Sequence, residues 1–262
     1  MPVVDLMNPR AKIVRGFIHL DALMDEIGEF AARTSDPIIN WEQRVVREDG
    51  QDWNAIVCTE VLQKPPAELG LVFGDTIHNF RTALDHLVCS LVEANGKTPT
   101  RSNQFPIQVR TPDETAKKRI RRNLAKLDPV ARKRIKSIQP YLDPGADWSE
   151  ALAALSLMDN DDKHQLVAPA VGLSDGTGIN IEPRPTEPPR FITFNYNAPI
   201  FPGTTILRWP LNDPRVISLT IDNFSASVGF GGAKTGITMR GLPYIGQMVF
   251  DIVESFEGFR PV

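Results

Sequence analysis

Apolar side chains recur at Ile13, Phe17, Leu20, Met24, Ile27 and Ala31 with a three-and-four spacing, which predicts an amphipathic helix over 11–33. Ser35-Asp36-Pro37 breaks that pattern. Two β-rich runs, IINWEQRVV and WNAIVCTEV, then flank Glu48-Asp49-Gly50-Gln51-Asp52, whose Asp-Gly pair signals a hairpin turn. After Pro65-Pro66 the helical period returns, with Ile77, Phe80, Leu84, Leu87, Val88 and Leu91 on one face of a helix that starts near Ala67 and stops at Asn95-Gly96. A loop is expected from Thr98 to Val109. Two more helices follow, striped by Ile120, Leu124 and Leu127, then by Val130, Ile135 and Ile138; a third, entered through Asp147 and Glu150, turns Trp148, Leu152, Leu155 and Met158 inward. Beyond Leu166 the pattern changes to short β-like runs, GINIEP, RFITFNYN, TTILRWPL and RVISLTIDNFSASVGF, separated by Gly, Pro, Asn and Asp. Pro243 opens a last amphipathic helix with Ile245, Val249, Ile252, Val253 and Phe256 on one face.

These elements predict an α+β fold: a helical bundle interleaved with an antiparallel β-sheet and closed by a C-terminal amphipathic helix. A lone hairpin is not stable in water, so the early one is expected to join the later sheet and 1–262 reads as a single α+β unit. Its helical part covers about 11–33 and 67–164, its β part about 38–63 and 166–240, and its C-terminal helix about 242–257.

Composition narrows the function classes. With 29 Lys and Arg against 32 Asp and Glu the net charge is −3, which excludes a chain-wide field for nucleic acid and leaves only a local one. The opening MPVVDLMNPRAKIVRG has no apolar signal core and no run approaches the ~18 apolar residues of a membrane span, so a cytoplasmic protein without a membrane partner is expected. Cys58 and Cys89 stand in apolar contexts and read as two buried thiols, not a disulfide or a zinc site. The local field lies between residues 117 and 136, where ten Lys and Arg are opposed by Asp128 alone. Such a stretch is either a solvated face or a stripe that follows a nucleic-acid backbone, with Lys117, Lys118, Arg121, Arg122, Arg132 and Arg134 as the candidate phosphate contacts of an RNA partner.

The densest candidate chemistry is on the central helix. At about 100° per residue, Arg81, Asp85, His78, Asp75, His86 and Asn79 share an arc of roughly 160° opposite the apolar face. A solvated face normally carries Lys, Glu and Gln, so this set is not explained by solvation alone. A second cluster, Asp161, Asp162, Lys163 and His164, ends a later helix, where acidic groups oppose the helix dipole. The two are expected to meet. His86 and His164 would then be available as acid and base, with Asp75 and Asp85 orienting their neighbours.

Gly74-Asp75, His78-Asn79, Arg81, Leu84-Asp85-His86 and then Asn160, Asp162-Lys163-His164 match the patterns GD-x-x-HN-x-R-x-x-LDH and N-x-DKH, and this resembles a family of uncharacterised bacterial proteins. The resemblance extends to Phe105-Pro106-Ile107 and Gln139-Pro140-Tyr141. Within it, Arg81-x4-His86 is similar to the R-x(4 to 6)-H element of the HEPN superfamily, although Thr82 stands where a stronger polar group is common. That resemblance implies a helical, often homodimeric, metal-independent RNase or RNA-binding protein without a cofactor, in which Arg81 steadies the phosphoryl transition state and His86 is the general acid or base. Two alternatives stay open: a non-catalytic binding or scaffold protein whose arc is a buried hydrogen-bond network, and a hydrolase holding a divalent metal between Asp75, His78, His86, Asp161, Asp162 and His164. Gly229 to Thr235 falls short of a phosphate loop because Val228 and Ala233 stand where glycine is required, and it reads as a hairpin loop.

Overall fold

The three-and-four spacing of the first stretch becomes helix α1 (Met7–Arg33), which buries Ile13, Leu20, Leu23 and Ile27. Leu23 takes the place expected for Met24, which is 45% exposed, because the 13, 20, 23, 27 register keeps the narrower stripe. The computed structural model describes residues 2–34, 38–48, 50–164, 169–173, 178–182, 193–194, 200–211, 218–223, 226–230, 237–238 and 241–261. The proline-rich stretch at 183–192 and the glycine-rich loop at 231–236 lie outside the described residues.

The class is α+β, as the pattern predicts. Strands β1 (Ile39–Glu48) and β2 (Gln51–Val61) form the expected antiparallel hairpin across Gly50. Helix α2 (Glu68–Ala94) is followed by α3 (Glu114–Asn123), α4 (Pro129–Ser137), a 3₁₀ turn at Pro140–Leu142 and α5 (Asp147–His164). Then come β3 (Pro169–Leu173), β4 (Gly178–Glu182), β5 (Thr193–Phe194), β6 (Thr205–Pro210), β7 (Ser218–Asn223), β8 (Ala226–Phe230) and β9 (Ile237–Thr238), before α6 (Gly241–Glu254). The hairpin does join a later strand: the order β1-β2-β6-β5 is antiparallel throughout, and β3-β8-β9 and β4-β7 make smaller antiparallel sheets. β1 is the edge of the first sheet and exposes Glu42, Arg44 and Val45, so charge guards most of its open rim.

Where the sequence reading drew one unit over 1–262, the chain divides into two compact units, and the division falls inside α1 and near the start of α2. One comprises Met1–Leu23, Leu71–Val167 and Arg240–Val262; the other comprises Met24–Gly70 and Ala168–Met239. In the second, Ala55, Ile56, Val57, Ile206, Leu207 and Trp209 are buried between strands. In the first, the apolar face of α2 is the centre: Ile77, Phe80, Leu84, Leu87, Val88 and Leu91 are all fully buried. Phe80 sits edge-on to Phe17 at 5.3 Å and lies so close to Gly16 and Gly246 that a Cβ on either would come within 2.5 and 2.7 Å of its ring. Arg10 closes the unit with hydrogen bonds of 2.7 and 2.6 Å to Glu254, beside a backbone bond from Val4 to Phe259.

Candidate functional site

The arc on α2 is graded by burial from its edges to its centre. Arg81 and Asn79, at the two edges, retain 14% and 8% of their exposure, whereas Asp75 and His78 near the centre are open to solvent. Asn79 is a local brace, donating to the Asp75 carbonyl at 2.8 Å and accepting from Lys12 at 3.4 Å. Arg81 has a partner at every nitrogen. Its Nη2 donates to the Phe105 carbonyl at 2.8 Å, its Nη1 lies 2.9 Å from Asp85 Oδ1 and its Nε lies 3.9 Å from Asp159 Oδ2. The Nη1 contact is an ion pair and not a hydrogen bond, since its N–H bonds do not point at an acceptor. His86, five residues on, is rotated from Arg81 by about 140° around the helix axis. It is half-buried, and its Nδ1 is enclosed without a hydrogen-bond partner among the described residues.

Helix α5 lies against this arc, and among the described residues the one that reaches deepest is Asp159. Its side chain is 4% exposed and sets Oδ1 3.5 Å from His78 Nδ1, while Thr82 Oγ1 stands 3.4 Å from the other ring nitrogen. Asp159 is not among the residues singled out from the sequence, where Asp161 and Asp162 mark the acidic end of α5. Its signal was there: it follows Leu152 and Leu155 at seven and four residues, on the buried stripe of α5. Asp162 packs on α2 at Gly74, where a Cβ would come within 2.8 Å of its Cγ, so this glycine is what lets the two helices approach. Asp161 is half-buried, and the side chains of Lys163 and His164 lie outside the described residues, as does any His86 to His164 distance. Among the described residues no three His, Cys, Asp or Glu side chains form a group able to hold a metal ion.

The arc also acts on a backbone 20 residues away. Asp85 Oδ1 accepts from the Phe105 N–H at 2.7 Å while Arg81 takes the Phe105 carbonyl, so both polar groups of that residue are held by charged partners. With the Phe105 ring fully buried, Pro106 is fixed in place. Next to it, Gln139 is 3% exposed: its amide accepts from Gln108 N at 3.0 Å and donates to the Ile135 carbonyl at 2.9 Å. The Tyr141 N–H donates to the Gln108 carbonyl, and Ser149 Oγ donates to that of Pro140. Phe105-Pro106-Ile107 and Gln139-Pro140-Tyr141 thus meet as one braced wall.

That wall borders a cavity of about 290 Å³ whose other sides are Lys117, Ile120, Arg121 and Lys136. Lys117 and Arg121 are one turn apart on α3, so both point the same way. Exposed Glu114 stands 2.8 Å from Lys117 and 4.0 Å from Arg121. Lys136 has no hydrogen-bond or ion-pair partner among the described residues. The two helices are capped by Asp113 and Asp128, which accept from the Ala116 and Val130 N–H groups.

Of the candidate phosphate contacts, Lys117, Lys118, Arg121 and Arg122 are exposed on α3. Arg132 and Arg134 are occupied internally: Arg132 Nη2 donates to the Leu127 carbonyl at 3.0 Å, and Arg134 donates to the Ser255 carbonyl and covers the Phe256 ring at 5.0 Å. Neither protein-family models nor curated proteins nor solved structures yield a match to this chain. The two wall segments stand in the sequence as motifs, but their meeting beside the bases is not legible there, because it is made by hydrogen bonds between Gln108 and Gln139, 31 residues apart, and from the Tyr141 N–H to the Gln108 carbonyl. Cys58 is buried as expected, whereas Cys89 is half-buried; burial, and then the nearby Asp85 and Glu93 charges, push its thiol upward. No helix of the described residues is long and apolar enough to cross a membrane.

Proposed function

We propose that this chain binds single-stranded RNA through α3 and the adjoining cavity, and that the polar arc of α2 is the bracket that builds the cavity wall. The observation that carries this is the convergence of Lys117, Arg121 and Lys136 on one cavity faced by Tyr141, in a chain whose net charge is negative. Three cations gathered against an acidic background raise the local field for phosphates, and an aromatic side chain on the cavity wall offers a splayed base something to stack on. Arg81 supports the bracket role, since each of its nitrogens faces a protein partner and it retains little exposure.

The test is titration of an unstructured RNA of about a dozen nucleotides, a length within the usual range of single-strand sites. Affinity is expected to fall steeply between about 50 and 200 mM salt, and the Lys117→Glu, Arg121→Glu, Lys136→Glu triple variant is expected to lose binding by about 100-fold or more. Binding that ignores salt, or none at low salt, overturns the proposal. HEPN-like cleavage is favoured by one observation only, the enclosed Nδ1 of His86 without a partner. If it is a general acid or base, His86→Asn reduces RNA cleavage in EDTA by about 10²- to 10⁴-fold at nearly unchanged stability. A parent without detectable cleavage rules it out.

A further inference from the structure

Resting on the RNA-binding reading, we infer that the Lys117, Arg121 and Lys136 cavity holds the 5′-phosphorylated terminal nucleotide of the strand and not an internal stretch of it. Size is the first reason. A volume of about 290 Å³ is at the small end of ligand pockets, which run from about 300 to 1,000 Å³, and suits one nucleotide. Charge is the second. A bridging phosphodiester carries a single negative charge, whereas a terminal monophosphate carries about −1.5 to −2 at pH 7 and three acceptor oxygens. Three cations around one small cavity match the terminal group.

Glu114 supplies the third reason. Its exposed carboxylate is already approached by both Lys117 and Arg121, so the two side chains reach a common anion without rearranging their helix. In the cavity, which Lys117, Arg121 and Lys136 line, an arriving phosphate competes with this carboxylate for Lys117 and Arg121 and adds Lys136. The rigid wall completes the site: Tyr141 is held through its own N–H and, through Pro140, by Ser149, and it offers its side chain beside the phosphate position, where the terminal base would lie.

The experiment compares the full chain's affinity for two RNAs of identical sequence, one with a 5′-phosphate and one with a 5′-hydroxyl, each labelled at its 3′ end, with 5′-UMP as competitor. The phosphorylated RNA is expected to bind about tenfold tighter at pH 7.5, through charge-assisted contacts. That preference should shrink as pH falls through about 6 and the phosphate takes up its second proton. Lys136→Ala is expected to close the gap between the two RNAs, and Glu114→Gln to widen it by freeing Lys117 and Arg121; melting curves that match the parent show that both variants are folded. Equal affinity for the two RNAs overturns the inference while leaving RNA binding intact. Absence of binding to either at low salt overturns both. If 5′-UMP competes as well, mole for mole, as the phosphorylated RNA, the cavity serves a free nucleotide and the inference also falls.

Discussion

Two charged regions of the helical unit differ in what their charges touch. On α2, Arg81 and Asp85 face each other and the backbone of Phe105, and Asp159 is all but sealed from water. On α3, the bases outnumber their counter-charges and most stand in solvent. Ionisable groups whose partners lie inside the protein stabilise a fold and resist removal, since an abandoned charge in a buried site is costly. Excess charge at a surface contributes little to stability and is available to an outside partner. The same residue types therefore serve two ends, and the partner tells them apart.

The sharpest way to break that contrast is to delete one charge from each region and compare melting. Arg81→Ala removes the cation beside Asp85 and Asp159 and takes the donor from the Phe105 carbonyl, and it is expected to cost about 3 kcal/mol, lowering Tm by roughly 6–12 °C. Arg121→Ala should leave Tm within about 2 °C, as surface substitutions usually do. If the surface variant melts earlier than the α2 variant, the contrast is wrong. Gly74→Ala comes next. The added methyl meets Asp162, and a cost of about 1–3 kcal/mol is expected from forcing α2 and α5 apart; a neutral result in denaturant titration would show that Asp162 swings aside freely.

Acid titration sharpens the picture at a third place. Hydrogen bonds from Arg10 lower the Glu254 carboxyl from its ordinary value of 4.5, and Arg10 itself stays protonated throughout. A lowered carboxyl stabilises the fold fully above its ordinary range and ceases to do so as pH falls through the lowered value. The stability difference between parent and Glu254→Gln should accordingly be constant at neutral pH and vanish in acid. The smallest expected effect is at Cys89, whose raised thiol should react with iodoacetamide more slowly than a free cysteine at pH 8, with Asp85→Asn moving the rate upward.

How much of this was legible beforehand follows from the range of each interaction. The α2 apolar face repeats every turn and was read residue by residue; the Asp-Gly hairpin was read from a pair of neighbours. Asp159 was hidden by its own position on an apolar stripe. Arg81 and Asp85 were visible as candidates, but their partner is a main-chain amide 24 and 20 residues downstream, and backbone groups leave no mark in a sequence. The bases of α3 were visible too. Their cavity was not, because its wall is joined by the Gln139 side-chain amide to the Gln108 N–H 31 residues away and by the Ser149 hydroxyl to the Pro140 carbonyl nine residues away, and a polar side chain does not name its partner in a sequence.

The helical unit is drawn from three separated segments, and this affects its birth on the ribosome. Arg10 and its partner Glu254 are 244 residues apart, an interval that translation at about 5–20 residues per second covers in roughly 12–50 s. During that time α1 and α2 have left the exit tunnel with Phe80 and its neighbours lacking α6, whose Gly246 seats the ring. The nascent chain thus carries uncovered apolar helices until its last segment arrives, and it should be a customer for chaperones that hold emerging helices, while a chain stalled before residue 240 should remain protease-sensitive throughout this unit.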